Sequence, residues 1–131
     1  MVLPPTYTTI HYSSSTYYYD QGVYYTSSGD GYKVVEAPTN ITVNTLPADA
    51  EKFELNSVTY YYFGGAFYTK TADVYTVVDA PAGAIVSKIP EGAEEVTIDE
   101  QKYLFYHHTY YQPILKDGKN VYQVVEMESS S

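Results

Sequence analysis

The sequence predicts an all-β protein built from repeats of about 43 residues, and three observations carry that expectation. Aromatic and β-branched residues gather in short runs bounded by Gly, Pro, Asn and Asp, as strands separated by tight turns do. No stretch spaces its apolar residues by three and four, as an amphipathic helix requires. Slid along itself by 43 places, the chain matches without a gap. Thr16-Tyr17-Tyr18-Tyr19 falls on Thr59-Tyr60-Tyr61-Tyr62, Gly22 on Gly65, Tyr25-Thr26 on Tyr68-Thr69, Val34-Val35 on Val77-Val78, Ala37-Pro38 on Ala80-Pro81, and Pro47 on Pro90. A period of this kind is read first, because it decides the architecture.

The elements follow in order. The register extends back to Leu3-Pro4, which recurs as Leu46-Pro47 and Ile89-Pro90. Ile10 and Tyr12 recur as Phe53 and Leu55, then as Val96 and Ile98; the last pair lies in Glu95-Val96-Thr97-Ile98-Asp99, which alternates with the period of a strand. The tyrosine runs straddle glycines, and a two-residue turn at Gly64-Gly65 pairs Phe63 with Ala66, Tyr62 with Phe67 and Tyr61 with Tyr68. The third unit has His107-His108 in place of glycine at that turn. Tyr75-Thr76-Val77-Val78 reads as a strand ending at Ala80-Pro81, and Ala84-Ile85-Val86 as a short one ending before Pro90. The segment from Ala48 to Phe53 stands behind a proline and has room for one helical turn at most. Four extra residues enter near Lys116-Asp117-Gly118-Lys119, and the pattern resumes at Tyr122-Gln123-Val124-Val125-Glu126 before the Ser129-Ser130-Ser131 tail. The expected division is therefore a part-repeat over residues 1–31, full units over 32–74 and 75–119, and a strand with a serine tail over 120–131.

Strand alternation gives each unit two faces. One is aromatic throughout (Tyr17, Tyr19, Tyr24; Tyr60, Tyr62, Phe67; Tyr103, Phe105, Tyr110) and is expected to face the core. The other carries Tyr18, Tyr25, Tyr61, Tyr68, Tyr106 and Tyr111, with Asp20 beside the first two, and is expected to meet solvent at that level. Rings on that face either stack on the rings of a cell-wall glycan or pack between neighbouring units.

Composition narrows the function classes. The length of 131 residues suits one domain or two very small ones. With no Cys there are no disulfides and no thiolate metal sites. Seven Lys, no Arg and a formal charge of −9 argue against nucleic acid and against anionic membrane surfaces. No apolar run is long enough to span a membrane, and Met1-Val2-Leu3-Pro4-Pro5 is neither charged nor long enough to be a signal peptide.

Little in the sequence carries catalysis. His107 and His108 are weak candidates for a metal: neighbours on a strand point to opposite faces, and no carboxylate stands in sequence range. His11 aligns with Glu54 and Thr97 and reads as solvent-facing. The acidic run over residues 91–100 lacks the loop pattern of a calcium site and reads as a solvated edge. No nucleophile elbow, zinc-protease histidine pair or phosphate loop occurs. Nothing brings Asp20 and Asp30 together as a glycosidase pair. A non-enzyme without cofactors is the expectation.

The segments Val2-Leu3-Pro4-Pro5, Tyr17-Tyr18-Tyr19, Gly22-Val23-Tyr24 and Gly31-Tyr32-Lys33-Val34-Val35-Glu36-Ala37-Pro38 resemble a Tyr-rich bacterial family of domains without an assigned function. The likeness is close over the first 38 residues and recurs to about residue 100. It implies an exported protein, periplasmic, cell-surface or extracellular, and carries over no catalytic residue. The order Val-Val-x-Ala-Pro, short strand, Leu-Pro, strand and Tyr-rich hairpin is more loosely similar to bacterial SH3-like barrels. That likeness implies tandem small β-barrels, with a β-trefoil as the alternative architecture for three units. The end strand with Tyr122, Val124 and Val125 is then expected to complete the N-terminal part-repeat, within the chain or in a neighbour, head to tail. The expected role is structural, an assembling repeat protein of the bacterial envelope or extracellular matrix. The alternative is a glycan- or peptidoglycan-binding module.

Overall fold

A computed structural model describes residues 3–126, and they form an all-β structure of three antiparallel sheets. The first sheet is a plain meander of β1 (Thr8–Tyr12), β2 (Ser15–Asp20), β3 (Val23–Ser28) and β4 (Gly31–Val35). The second holds β5 (Thr42–Val43), β6 (Glu51–Leu55), β7 (Val58–Phe63), β8 (Ala66–Thr71) and β9 (Val74–Val78), in the order β5-β9-β8-β7-β6. The third repeats that order with β10 (Ile85–Val86), β11 (Glu94–Ile98), β12 (Gln101–Tyr106), β13 (Thr109–Lys116) and β14 (Lys119–Val125). Each short entering strand lies along the last strand of its own sheet. Asn40 N donates to Val77 O (2.8 Å) and Val77 N to Ile41 O (2.9 Å); Gly83 N to Val124 O (2.9 Å) and Val124 N to Ala84 O (2.8 Å) repeat the arrangement.

The central hairpins follow the register expected from their turns. Phe63 pairs with Ala66, Tyr62 with Phe67 and Tyr61 with Tyr68. Tyr18 and Tyr19 pair with Tyr25 and Tyr24, and Leu104 and Phe105 with Tyr111 and Tyr110. Both central residues of these turns have positive φ: Gln21 and Gly22 (44°, 88°), Gly64 and Gly65 (58°, 87°), His107 and His108 (50°, 59°). Two-residue turns of this hand match the twist of the strands they join. The four residues inserted in the third unit lengthen the β13–β14 hairpin and extend it out to Lys116 and Lys119.

Burial is two-sided. Tyr19 and Tyr24 of the first sheet meet Ala66, Tyr68 and Val77 of the second, with Ala37, Ile41 and Val43 of the connecting segment closing this core. On the opposite side of the second sheet, Tyr62 and Phe67 meet Tyr111 and Val124 of the third, closed by Ala84 and Val86. The second sheet is thus sandwiched and the outer two are each covered on one side.

Several expectations are corrected here. No sheet closes into a barrel, and two successive cores rather than one shared core exclude the trefoil arrangement. The physical reason is that the middle unit has apolar rings on both faces: a closed barrel would leave one of them in water, whereas stacking buries both. The divisions at residues 31, 74 and 119 fall inside or at the ends of hairpins; the sheets instead break at the connecting segments Glu36-Ala37-Pro38-Thr39 and Asp79-Ala80-Pro81-Ala82. Within the chain the end strand does not complete the N-terminal part-repeat. Tyr122, Val124 and Val125 belong to β14, paired with β13 on one side, and Tyr122 also with β10 on the other. The serine tail lies outside the described residues. The segment at residues 48–53 forms no helix but leads into β6.

The turn glycines give a direct test of the stacking. A Cβ at Gly22 would stand 2.3 Å from the Phe63 ring, and one at Gly65 2.3 Å from the Tyr106 ring, each belonging to the next unit. Gly29 also has positive φ (58°) but open space around it. Gly29→Ala should cost about 1 kcal/mol, the backbone penalty alone. Gly22→Ala and Gly65→Ala should each cost about 2–4 kcal/mol, because overpacking adds to it. Urea unfolding midpoints of the three variants measure the difference.

Candidate functional site

The sheet faces meet in two inner interfaces, and these share one chemistry. Three elements recur. The first is a ring pair on the leading face: Tyr19 with Tyr24 (centroids 4.9 Å, 54°), Tyr62 with Phe67 (4.8 Å, 52°) and Phe105 with Tyr110 (4.7 Å, 50°). The second is a trailing-face valine and tyrosine that press on the pair of the preceding unit: Tyr68 and Val77 on the first sheet, Tyr111 and Val124 on the second. The third is an aromatic plug at the end of the second meander strand, Phe63 or Tyr106, seated on the turn glycine of the unit before, with Pro47 or Pro90 beside it.

Hydroxyls buried with these rings need partners, since an unpaired buried polar group costs about 1–3 kcal/mol. Tyr19 donates to the Thr45 carbonyl, and Tyr62 donates to the Lys88 carbonyl at 2.8 Å. Tyr24 and Tyr68 share a hydrogen bond of 2.9 Å across the first interface. Tyr111 occupies the place of Tyr68 at the second interface, but the ring in the place of Tyr24 is Phe67, and the phenol beside its buried hydroxyl is that of Tyr62. Burial raises the phenols of Tyr24, Tyr62, Tyr68 and Tyr111 well above their ordinary range. Tyr19 is pushed up to about 12, mainly by burial, against the lowering effect of a backbone hydrogen bond at Gly22.

The sequence-predicted ligand face is divided by this stacking. Tyr68 and Tyr111 are 0% exposed and sealed between sheets, so no ligand reaches them, a correction to their assignment. Tyr106 sits on Gly65, and Tyr61 is half-buried with its edge against Tyr75 (5.2 Å). Tyr18 and Tyr25 remain on the open trailing face of the first sheet, where Tyr7 and Tyr32 stand edge-on to Tyr18 (5.7 and 5.3 Å). Of the proposed assembly strand, Val124 is buried and Tyr122 packs against the second core, so neither is free to pair elsewhere.

His107 and His108 form the last hairpin turn, their rings 6.0 Å apart. They border a cleft of about 420 Å³ that also touches Gly65, Phe67, Asp79 and Glu126. No three His, Asp or Glu side chains among the described residues come together as a metal-holding group.

Sequence reasoning expected Phe105 and Tyr110 to face the core and did not single out Val34, yet Phe105 and Tyr110 are only half-buried and Val34 is exposed. Each occupies a column of the repeat whose other members are buried: Val34 is 54% exposed, against 1% for Val77 and 4% for Val124. The signal was present in the alignment of the units, but the end positions stand out only once the stacking order is known.

A family model described as Family of unknown function (DUF6515) matches residues 1–128. No curated protein and no solved structure matches the chain.

The buried phenols make stability sensitive to alkali. A phenol whose folded pKa lies above its ordinary 10 keeps its proton longer in the folded state. Its contribution is therefore complete below about pH 10 and is lost as pH rises through the folded value. Unfolding is expected between pH 10 and about 12, with the phenolate absorbance of the buried rings arriving together with loss of the β signal in circular dichroism. Tyr19→Phe removes one such group, so its stability should fall less steeply with pH over that window, as measured by urea unfolding at each pH.

Proposed function

The chain belongs to the family of unknown function DUF6515, and we propose that it is a non-catalytic structural repeat protein that works by assembly through its sheet faces. One observation carries this reading. The two outermost faces carry part of the side-chain rows that are buried inside the molecule: Tyr25 and Val34 at one end, in the columns of Tyr68 and Val77, and the half-buried pair Phe105 and Tyr110 at the other, in the columns of Tyr62 and Phe67. Apolar side chains left partly open in this way, Val34 most of all, support a surface that another protein surface covers. The resemblance described above supports a role outside the cytoplasm, in the bacterial envelope or extracellular matrix. The net charge of −9 argues against nucleic acid and anionic lipid as partners.

A glycan-binding role has one observation in its favour. Tyr18 and Tyr25 lie side by side on the trailing face of the first sheet, with Tyr7 and Tyr32 around Tyr18. Aromatic faces of that kind accept sugar rings. The other four rings assigned to the same role are covered or half-covered by neighbouring units, which leaves one unit alone to do the binding.

The two readings separate in solution. Titration with soluble peptidoglycan fragments should leave tyrosine emission unchanged, while the mean mass from light scattering should rise with protein concentration. A saturable emission change with no rise in mass makes the protein a glycan-binding module instead.

A further inference from the structure

We propose that copies of this chain stack head to tail, the leading face of the third sheet seating on the trailing face of the first sheet of the next copy. The contact would reuse the ring pair and the tyrosine–valine pair of the interfaces within one chain, without the short strand and connecting segment that close those. This rests on the assembly reading above and names its partner, a second copy, and its two surfaces.

The apolar rows are the first argument. At both inner interfaces a ring pair meets a tyrosine and a valine from the next unit. The third sheet ends on Phe105 and Tyr110, held in the same mutual geometry as the two buried pairs but left half-exposed. The first sheet ends on Tyr25 and Val34, the counterparts of Tyr68 and Val77. Each end therefore presents the half that the other end lacks. Both sets of side chains are already aligned by their own strands, so little ordering is needed on contact.

The departures from the repeat are the second argument, because they compensate one another. Inside the chain a bulky plug, Phe63 or Tyr106, sits on a bare glycine, Gly22 or Gly65. The next seat in the series is His108, whose side chain would clash with an aromatic plug. The plug that would face it is Asp20, which stands in the column of Phe63 and Tyr106. Bulk has moved from plug to seat, and the total volume is kept. The chemistry also changes from apolar contact to an imidazole facing a carboxylate, groups that donate and accept hydrogen bonds. Thr6 Oγ1 already donates to Asp20 Oδ1 at 2.6 Å, which steadies the carboxylate while leaving its second oxygen available.

The hydroxyls are the third. Tyr24 and Tyr68 bond to each other across the first interface, and Tyr110 and Tyr25 are their counterparts across the junction between copies. Tyr19 and Tyr62 donate to carbonyls of the following unit, but the third member of that column is Phe105, which has no hydroxyl to satisfy. A surface evolved only to face water has no reason to follow this pairing.

The contact is heterologous: one face of a copy meets a different face of the next. Such contacts add copies in a row unless their rotation closes a ring. The mode of association differs from strand exchange, since β14 stays in its own sheet.

A mixing experiment on the full chain tests this. In sedimentation velocity, the unaltered chain should form species larger than a dimer as concentration rises. Val34→Glu spoils the trailing face and Phe105→Glu the leading face, so each variant alone should sediment as a monomer. Their equimolar mixture retains one sound face of each kind and should form a dimer that grows no further. His108→Asp, an exposed turn substitution that spares the core, should also weaken association by opposing two carboxylates. Adding Asp20→His to the same chain should restore it. Urea midpoints identify any variant that has lost its fold, and His108→Asp then replaces Phe105→Glu in the mixture. A monomeric unaltered chain at every concentration, or a mixture that stays monomeric, overturns the proposal. Association untouched by both face variants overturns it too, while leaving assembly through some other surface standing. A monomer that also responds to peptidoglycan fragments removes the assembly reading itself.

Discussion

A sheet with aromatic rings on both faces cannot be left against water on either side, and that constraint organises this molecule. Strand alternation puts Tyr61, Phe63, Ala66 and Tyr68 on one side of the second sheet and Tyr62 and Phe67 on the other. Curling around one face would leave the rings of the other in water. Stacking is the remaining solution, and each layer supplies the cover for the one before it. The connecting segments become part of the cover: Ala37, Ile41 and Val43 fill the first core, and Ala84 and Val86 the second.

Choosing tyrosine for these positions has a consequence of its own. Each ring brings a large apolar area and a hydroxyl that must be paired or reach the rim. Apart from tyrosines, no polar or charged residue is buried among the described residues, so the phenols are the polar component of the core. Most solve the problem locally, through the Thr45 and Lys88 carbonyls or through each other. Tyr111 faces Phe67 instead of a tyrosine and has the Tyr62 hydroxyl beside it. The same arrangement ties the fold to pH, since ionising any of these rings requires a charge in an apolar layer. It also explains why a chain with no cysteine holds together: the layers are fastened by ring packing and buried phenol contacts.

The ends of the stack are where architecture meets function. An array of identical layers has no natural stop, and repeat proteins commonly finish with polar outer surfaces. Here the outer faces keep Val34 and Tyr25 at one end and Phe105 and Tyr110 at the other. Asp20, in the column of Phe63 and Tyr106, and His108, in the column of Gly22 and Gly65, depart from the repeat at opposite ends of the stack. In the stacking proposed above, these two departures would meet, an imidazole against a carboxylate in place of a ring on a glycine.

Much of this was legible in the residues. The 43-residue period, the all-β class, the hairpin register around Gly64-Gly65 and the burial of the Tyr19, Tyr62 and Phe67 face follow from spacing, turn chemistry and strand alternation, which are local properties. Where the units divide was not legible, because a periodic pattern has no marked beginning. Only hydrogen bonding shows that β14 closes its own sheet and that, among the described residues, the first sheet has four strands where the others have five. The fate of the second face was likewise undecided. Tyr18, Tyr61 and Leu104 share one column of the repeat, yet Tyr61 and Leu104 pack against the inner cores while Tyr18 stays on the open trailing face. Alternation says that a residue is on a face; what lies beyond that face is set by the stacking of whole sheets. By itself the sequence determined the module and its two surfaces. Which of those surfaces are buried was decided in three dimensions, because burial depends on a neighbour tens of residues away.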